Sequence, residues 1–259
     1  MNETMLALLG FATIITVIVL LLKNVTVPSL AFISVATASS AVLVLTGTFS
    51  VQEMGDFIAE GVKGVHATAA LFIFSVLFFG IMTDVGMFDK IIGALMKKVG
   101  HNVIGVTLMT SIIAMIAHLD GAGAVTDVEI TAGGNVEEQT EAREYARPKL
   151  FWFNLILTLA VIVCLIFVKV PSYYVFMLGC AIALLVNFRG ASLQNKIIKS
   201  HAGPAIMMSS TILCAGVFLG VMEKTGIMNN MATVLAGFVP MSMGRFLPLI
   251  IGVLAVPLT

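Results

Sequence analysis

Six apolar runs, 5–22, 27–45, 67–83, 150–168, 171–187 and 204–222, each come close to 20 residues. About 20 apolar residues are what a helix needs to cross the hydrocarbon core of a bilayer. Two further runs, 102–119 and 246–258, are apolar but shorter or broken. A soluble chain of 259 residues could not bury this much apolar side chain: 59% of residues are hydrophobic, only 11% are charged, and mean hydropathy is +1.08. The fold class is therefore all-α integral membrane protein, multi-pass in the plasma membrane. Met5–Leu22 has neither a basic leader nor a good small-residue cleavage site, so it reads as a retained helix rather than a signal peptide.

Several function classes drop out. The net charge of zero gives no pointer to nucleic acid. Cys164, Cys180 and Cys214 sit in apolar runs without metal-ligand spacing and read as packing residues. There is no nucleophile–base pair, phosphate loop or cofactor motif, so neither an enzyme nor a permanently bound cofactor is expected.

Between the runs the pattern changes. Residues 51–63 place Val51, Met54, Phe57, Ile58 and Val62 opposite Glu53, Asp56, Glu60 and Lys63, the pattern of a helix lying on the membrane surface. Residues 87–99 repeat that pattern. Trp152, between Phe151 and Phe153 and shortly after Tyr145, suits the aromatic belt at a membrane–water boundary. Residues 127–149 hold six acids, two adjacent glycines and no apolar periodicity, and read as an exposed linker. His66 and His201 read as solvated loop residues. Asp84 and Glu223 read as matched, solvated helix ends.

The chain repeats itself. "VPS" at 27–29 returns at 170–172, "FFGIMTDVGMF" at 78–88 lies over "FLGVMEKTGIM" at 218–228, and "IIAMIA" at 112–117 lies over "IIGVLA" at 250–255. The three matches keep their order at offsets of 138 to 143. The organisation expected is a first transmembrane repeat over 1–126, an acidic cytoplasmic linker over 127–149, and a second repeat over 150–259. Repeats with broken helices characterise secondary transporters. If 102–126 enters the membrane and returns, the first copy has three full spans and the second is inverted. One side then collects ten of the 14 basic residues, the other only Lys63, Lys169, Lys224 and Arg245. If 102–119 spans instead, the split is seven to seven. The bias favours two inverted repeats, with spanning helices and re-entrant hairpin segments.

The candidate site is "AHLDGAGAVT", 117–126. Gly121 and Gly123 let the backbone turn and approach a ligand. Such backbone is tolerated at membrane depth where it lines a cavity. Asp120 could meet a hard cation or take a proton. Freed N–H groups after Gly123 and the Thr126 hydroxyl could hold an anionic oxygen. The alternative, that Asp120 only caps a short helix at the interface, stays open. His118 is a secondary candidate for proton coupling.

"FGIMTDVGMFD", the basic amphipathic stretch after it and "AHLDGAGAVT" resemble the citrate–divalent metal:proton symporter family, within the ion transporter superfamily. "RPKLFWFNLILTLAVI", "YVFMLGCAIALLVN", "HAGPAIMMSSTILCAGVFLG" and "LPLIIGVLAVPLT" resemble it too. The resemblance implies proton-coupled uptake of citrate complexed with Mg²⁺, Ca²⁺ or a related divalent metal, the metal being part of the cargo. It implies two re-entrant tips facing each other around the substrate, and Asp120, Gly121, Gly123 and Thr126 match the first. Protons, the citrate–metal complex and the lipid bilayer are the implied partners; a homodimer stays open, as do another carboxylate or an inorganic ion as cargo. Two departures matter. In the family the hairpin's second arm and further helices follow "GAVT", whereas here Thr126 runs directly into Asp127. The chain also stops at Thr259, where the second tip is expected. An internally deleted, C-terminally truncated and inactive relative is therefore the competing expectation.

Overall fold

The computed structural model describes residues 2–92 and 145–238, all of them helical or in short connections. The helices are α1 (Glu3–Leu22), α2 (Pro28–Leu45), α3 (Val51–Asp84), α4 (Phe151–Phe167), α5 (Ser172–Asn187), α6 (Ala191–Lys224) and α7 (Ile227–Phe238). Residues 87–92 are helical as well, and a 3-10 turn, Pro148–Leu150, leads into α4. Five helical segments among the described residues are long and apolar enough to cross a bilayer: α1, α2, α3, α6, and α4 together with the turn before it. The chain is a multi-pass membrane protein.

The order of elements recurs along the chain. A helix, a second helix and a 34-residue helix come first, as α1 to α3, and come again as α4 to α6. The two long helices end alike. Gly86 and Gly226 follow them with φ of +74° and +76°. Their N–H groups bond the carbonyls of Thr83 and Glu223, and the preceding N–H groups bond Ile81 and Val221. A glycine just past the helix supplies this left-handed turn without a Cβ clash and satisfies carbonyls the helix leaves open.

Two expectations are corrected here. Residues 51–63 are not a separate surface helix, and His66 and His201 are not in loops; 51–63 begins one 34-residue helix that also holds His66, and His201 lies in the other. Such a helix is about 51 Å long and exceeds the hydrocarbon thickness. Its start is fixed by a reciprocal cap. Ser50 N–H donates to the Glu53 carboxylate at 2.7 Å, and Glu53 N–H donates to the Ser50 hydroxyl at 3.2 Å. Of the apolar stripe of 51–63, Met54 is buried and Phe57, Ile58 and Val62 pack on the same core, while Val51 is exposed.

The chain gathers into two compact units, Met1–Gly64 with Cys214–Thr259, and Val65–Leu213. In the first, α1 and α2 pack with the start of α3, the end of α6 and α7. Leu6, Ala36, Leu43 and Met54 meet Val217, Val221, Met222 and Ile227. In the second, α4 and α5 pack with the end of α3 and the start of α6. Phe78, Ile81 and Met82 meet Val161, Phe176, Cys180 and Ala183. Each unit thus joins the helix pair of one repeat to the long-helix end of the other. A ring contact between the long helix and the second helix lies in each. Phe218 lies 5.6 Å from Phe32 in the first unit, and its counterpart Phe78 lies 5.8 Å from Phe176 in the second.

Candidate functional site

The sequence-derived site residues, His118, Asp120, Gly121, Gly123 and Thr126, lie outside the described residues, as do 102–119, most of the linker, and 246–258. What the structure places is the framework of long helices, and its polar features sit where those helices cross.

In the first unit α3 and α6 touch backbone to backbone. A Cβ on Gly61 would meet the Gly216 carbonyl oxygen and lie 2.6 Å from the Gly220 Cα; a Cβ on Gly220 would meet the Phe57 carbonyl oxygen. Gly216 and Gly220 form a small-x-x-x-small step, which lets helices approach closely in a membrane. One turn beyond, the Lys224 ammonium reaches the exposed Glu60 carboxylate at 2.5 Å. Both charges lie outside the apolar runs 67–83 and 204–222. The pairing holds the Glu60 carboxyl below the usual range and lifts the Lys224 ammonium above its own.

In the second unit the corresponding crossing is filled by a side chain. The His201 ring lies on Gly80, where a Cβ would be 2.5 Å from Nδ1. His201 Nε2 stands 2.8 Å from Asp84 Oδ2, one turn further along α3. The two side chains are only 19% and 14% exposed, so neither is the solvated group read from the sequence. His201 lies within α6, and His66, which is exposed, lies within α3 rather than in a loop. The offset of 140 that aligns Gly80 with Gly220 also aligns Asp84 with Lys224, not with Glu223. That offset, together with the i, i+4 spacing of Gly80 and Asp84, was the sequence signal available for this cluster.

A second polar contact lies deeper in the same unit. Asn154 of α4 and Asn187 of α5, 1% and 5% exposed, exchange two amide hydrogen bonds of 2.8 and 3.0 Å. Asn187 also donates to the Ala183 carbonyl, and the Thr158 hydroxyl donates to the Asn154 carbonyl. Paired this way, the buried amides keep their partners. In the first unit a cleft of about 380 Å³ between α1 and α2 is lined by Thr13, Thr16, Ser34 and Ser39. Each of these hydroxyls donates its hydrogen to a carbonyl of its own helix, so each has only its acceptor lone pairs left for a ligand. Among the described residues, no group of three or more metal-ligating side chains comes together.

Similarity to known proteins supplies the class. The chain is 25% identical to the Mg(2+)/citrate complex secondary transporter of Bacillus subtilis (strain 168), over 95% of this chain and 77% of that protein. It is 26% identical to the Citrate transporter of the same organism, over 98% and 79%, and 24% identical to its Uncharacterized transporter YraO, over 98% and 79%. The chain is thus similar along nearly its whole length to proteins named for transport of citrate and of the Mg(2+)/citrate complex. The relatives are transporters, which puts the chain in membrane transport rather than catalysis. No family model matches the chain, and no solved structure matches it. The match to the first relative runs over 336 positions, more than the 259 residues of the chain. The relatives therefore carry residues inside the matched span that have no counterpart here.

Proposed function

We propose that the chain is a secondary transporter that takes up citrate complexed with a divalent metal, of the Mg²⁺ or Ca²⁺ type, together with protons. The observation that carries this reading is the match along nearly the whole chain to proteins named for citrate and Mg²⁺–citrate transport. In this reading Asp120 contacts the metal or the proton, Gly121 and Gly123 shape the re-entrant tip, and Thr126 contacts substrate oxygens. His118 is a second candidate for the proton. The two repeats are inverted, and alternating access proceeds around a midplane site. A re-entrant tip needs a cavity, because an unpaired N–H or carboxylate in hydrocarbon costs several kcal/mol.

The test is uptake of labelled citrate by the purified chain in liposomes, with Mg²⁺, Ca²⁺ or chelator outside. Metal-dependent uptake lost on Asp120→Asn, with the variant still inserted, supports the reading. Asn keeps the size and capping capacity of Asp and removes only its charge. Uptake that ignores the metal, or that survives the substitution, sinks the assigned role. One observation favours a second reading, an inactive relative: the matched span is longer than the chain, and Thr126 is followed at once by the acidic linker. That reading expects no uptake above empty liposomes, and recovery when a hairpin arm is inserted after Thr126.

A further inference from the structure

We propose that Asp84 and His201 form a proton-binding site at the crossing of α3 and α6. Its use in coupling rests on the transport reading above; its existence does not. The contact between Nε2 and Oδ2 is 2.8 Å, and both side chains are largely withdrawn from water. At that distance one proton lies between the two atoms whether the imidazole is neutral or charged. The exchangeable proton is therefore the one on Nδ1. Without it the pair carries one negative charge; with it the pair is neutral overall.

Nδ1 is placed to accept that proton. It lies against Gly80, and among the described residues it has no hydrogen-bond partner. A proton can come or go there without breaking a contact within the protein. The seat needs glycine, since any side chain at position 80 would run into the ring. The other crossing shows that this is a particular arrangement rather than a consequence of the repeat. There Gly61 stands where His201 does, Gly220 where Gly80 does, and Lys224 where Asp84 does, and the backbones leave no space for a ring.

The charged neighbours on adjoining elements are mostly engaged elsewhere. Lys90 of the 87–92 helix donates to the Pro148 carbonyl. The Arg147 guanidinium lies over Phe188, and its Nε donates to the Asn187 carbonyl. Lys196 of α6 lies over Tyr145. Asp89, Lys149 and Lys199 are exposed. The ion pair that Asp84 makes with a described residue is the one with His201. Imidazole is the side chain suited to exchanging a proton near neutral pH, and a change of charge at a packed crossing alters the force between two long helices.

The experiment has two arms on the full chain. In the first, labelled histidine is followed by nitrogen NMR without cargo, from about pH 5.5 to 8.5. The expected result is a His201 ring that responds to pH over this window, with the response altered by Asp84→Asn. In the second, Mg²⁺–citrate uptake into liposomes is measured over the same window. His201→Gln keeps a side-chain N–H for Asp84 but cannot take up a proton. Its uptake should lose the several-fold pH dependence of the wild type. A His201 ring indifferent to pH or to Asp84→Asn, or a His201→Gln profile matching wild type, overturns the proposal. If the wild type transports nothing at any pH, the transport reading falls, and the NMR arm alone decides the site.

Discussion

The two crossings of α3 and α6 are built from matched positions and solve the same packing problem differently. In one, Gly61, Gly216 and Gly220 bring backbone against backbone, and an exposed Glu60–Lys224 pair closes the edge. In the other, an imidazole fills the space over Gly80 and binds a carboxylate shielded from water. Without water to drive them together, membrane helices associate by close packing and hydrogen bonds. The first crossing relies on the former and the second adds the latter. The lesson is that a repeat can preserve the placement of a crossing while changing its chemistry. One copy closes on an exposed pair of charged side chains, and the other on an imidazole–carboxylate contact withdrawn from water.

The sharpest way to break this comparison is to enlarge each glycine. Gly61→Val places atoms into the Gly216 carbonyl and the Gly220 Cα, neither of which can move aside. We expect a loss of about 3 kcal/mol or more, seen as a failure to purify or a collapse of Tm in detergent. In Gly80→Ala the nearest atoms the new Cβ meets are those of the His201 ring, which can swing away. A loss nearer about 1 kcal/mol is expected, with the Asp84 contact broken. Equal effects would show that the crossings do not differ as described.

Next in size is the buried amide pair, which has no polar counterpart in the first unit, where Phe11 and Val44 pack on the core. Asn154→Leu leaves the Asn187 amide without its partner and should lower stability by about 1–3 kcal/mol. Changing Asn187 to Leu as well should recover most of the loss. A double variant no better than the single one would mean that the amides act through something other than each other.

The smallest effects concern exposed charges. Glu53 is held below the usual carboxylate range by the Ser50 N–H and hydroxyl, and Glu60 by Lys224. A depressed carboxyl contributes stability above its unfolded value and loses it as pH falls through the folded one. Glu53→Gln and Glu60→Gln should therefore differ from wild type in Tm at neutral pH and converge with it under acid conditions. The Lys224 ammonium, lifted by Glu60, adds nothing to this until pH rises through its own raised range. A neutral-pH change in the Glu60–Lys224 contact would erase the contrast with Asp84–His201.

Much of the architecture was legible along the chain. The apolar runs gave α1, α2, α4 and α5 to within a residue or two, because bilayer thickness sets the length of a spanning helix. The matched strings gave the two ends marked by Gly86 and Gly226, because a left-handed turn needs glycine. What failed was the reading of the amphipathic stretch 51–63. An apolar stripe has the same period whether it lies on lipid or on other helices, so its partner cannot be read from its pattern. The placement of His201 failed for a related reason. The residues just before it, Lys199 and Ser200, are polar, and the groups that shield it, Gly80 and Asp84, lie more than a hundred residues away.

By itself, then, the sequence determined that this is an all-α membrane protein whose spanning helices and matched strings can be placed along the chain. Hydrophobicity and spacing act locally and leave their marks in order along the chain. Only the tertiary structure decided that each compact unit exchanges its long-helix end with the other repeat, and that one crossing seats an imidazole where the other seats a glycine. Those facts depend on which surfaces meet, and contacts over a hundred residues apart have no period to announce them.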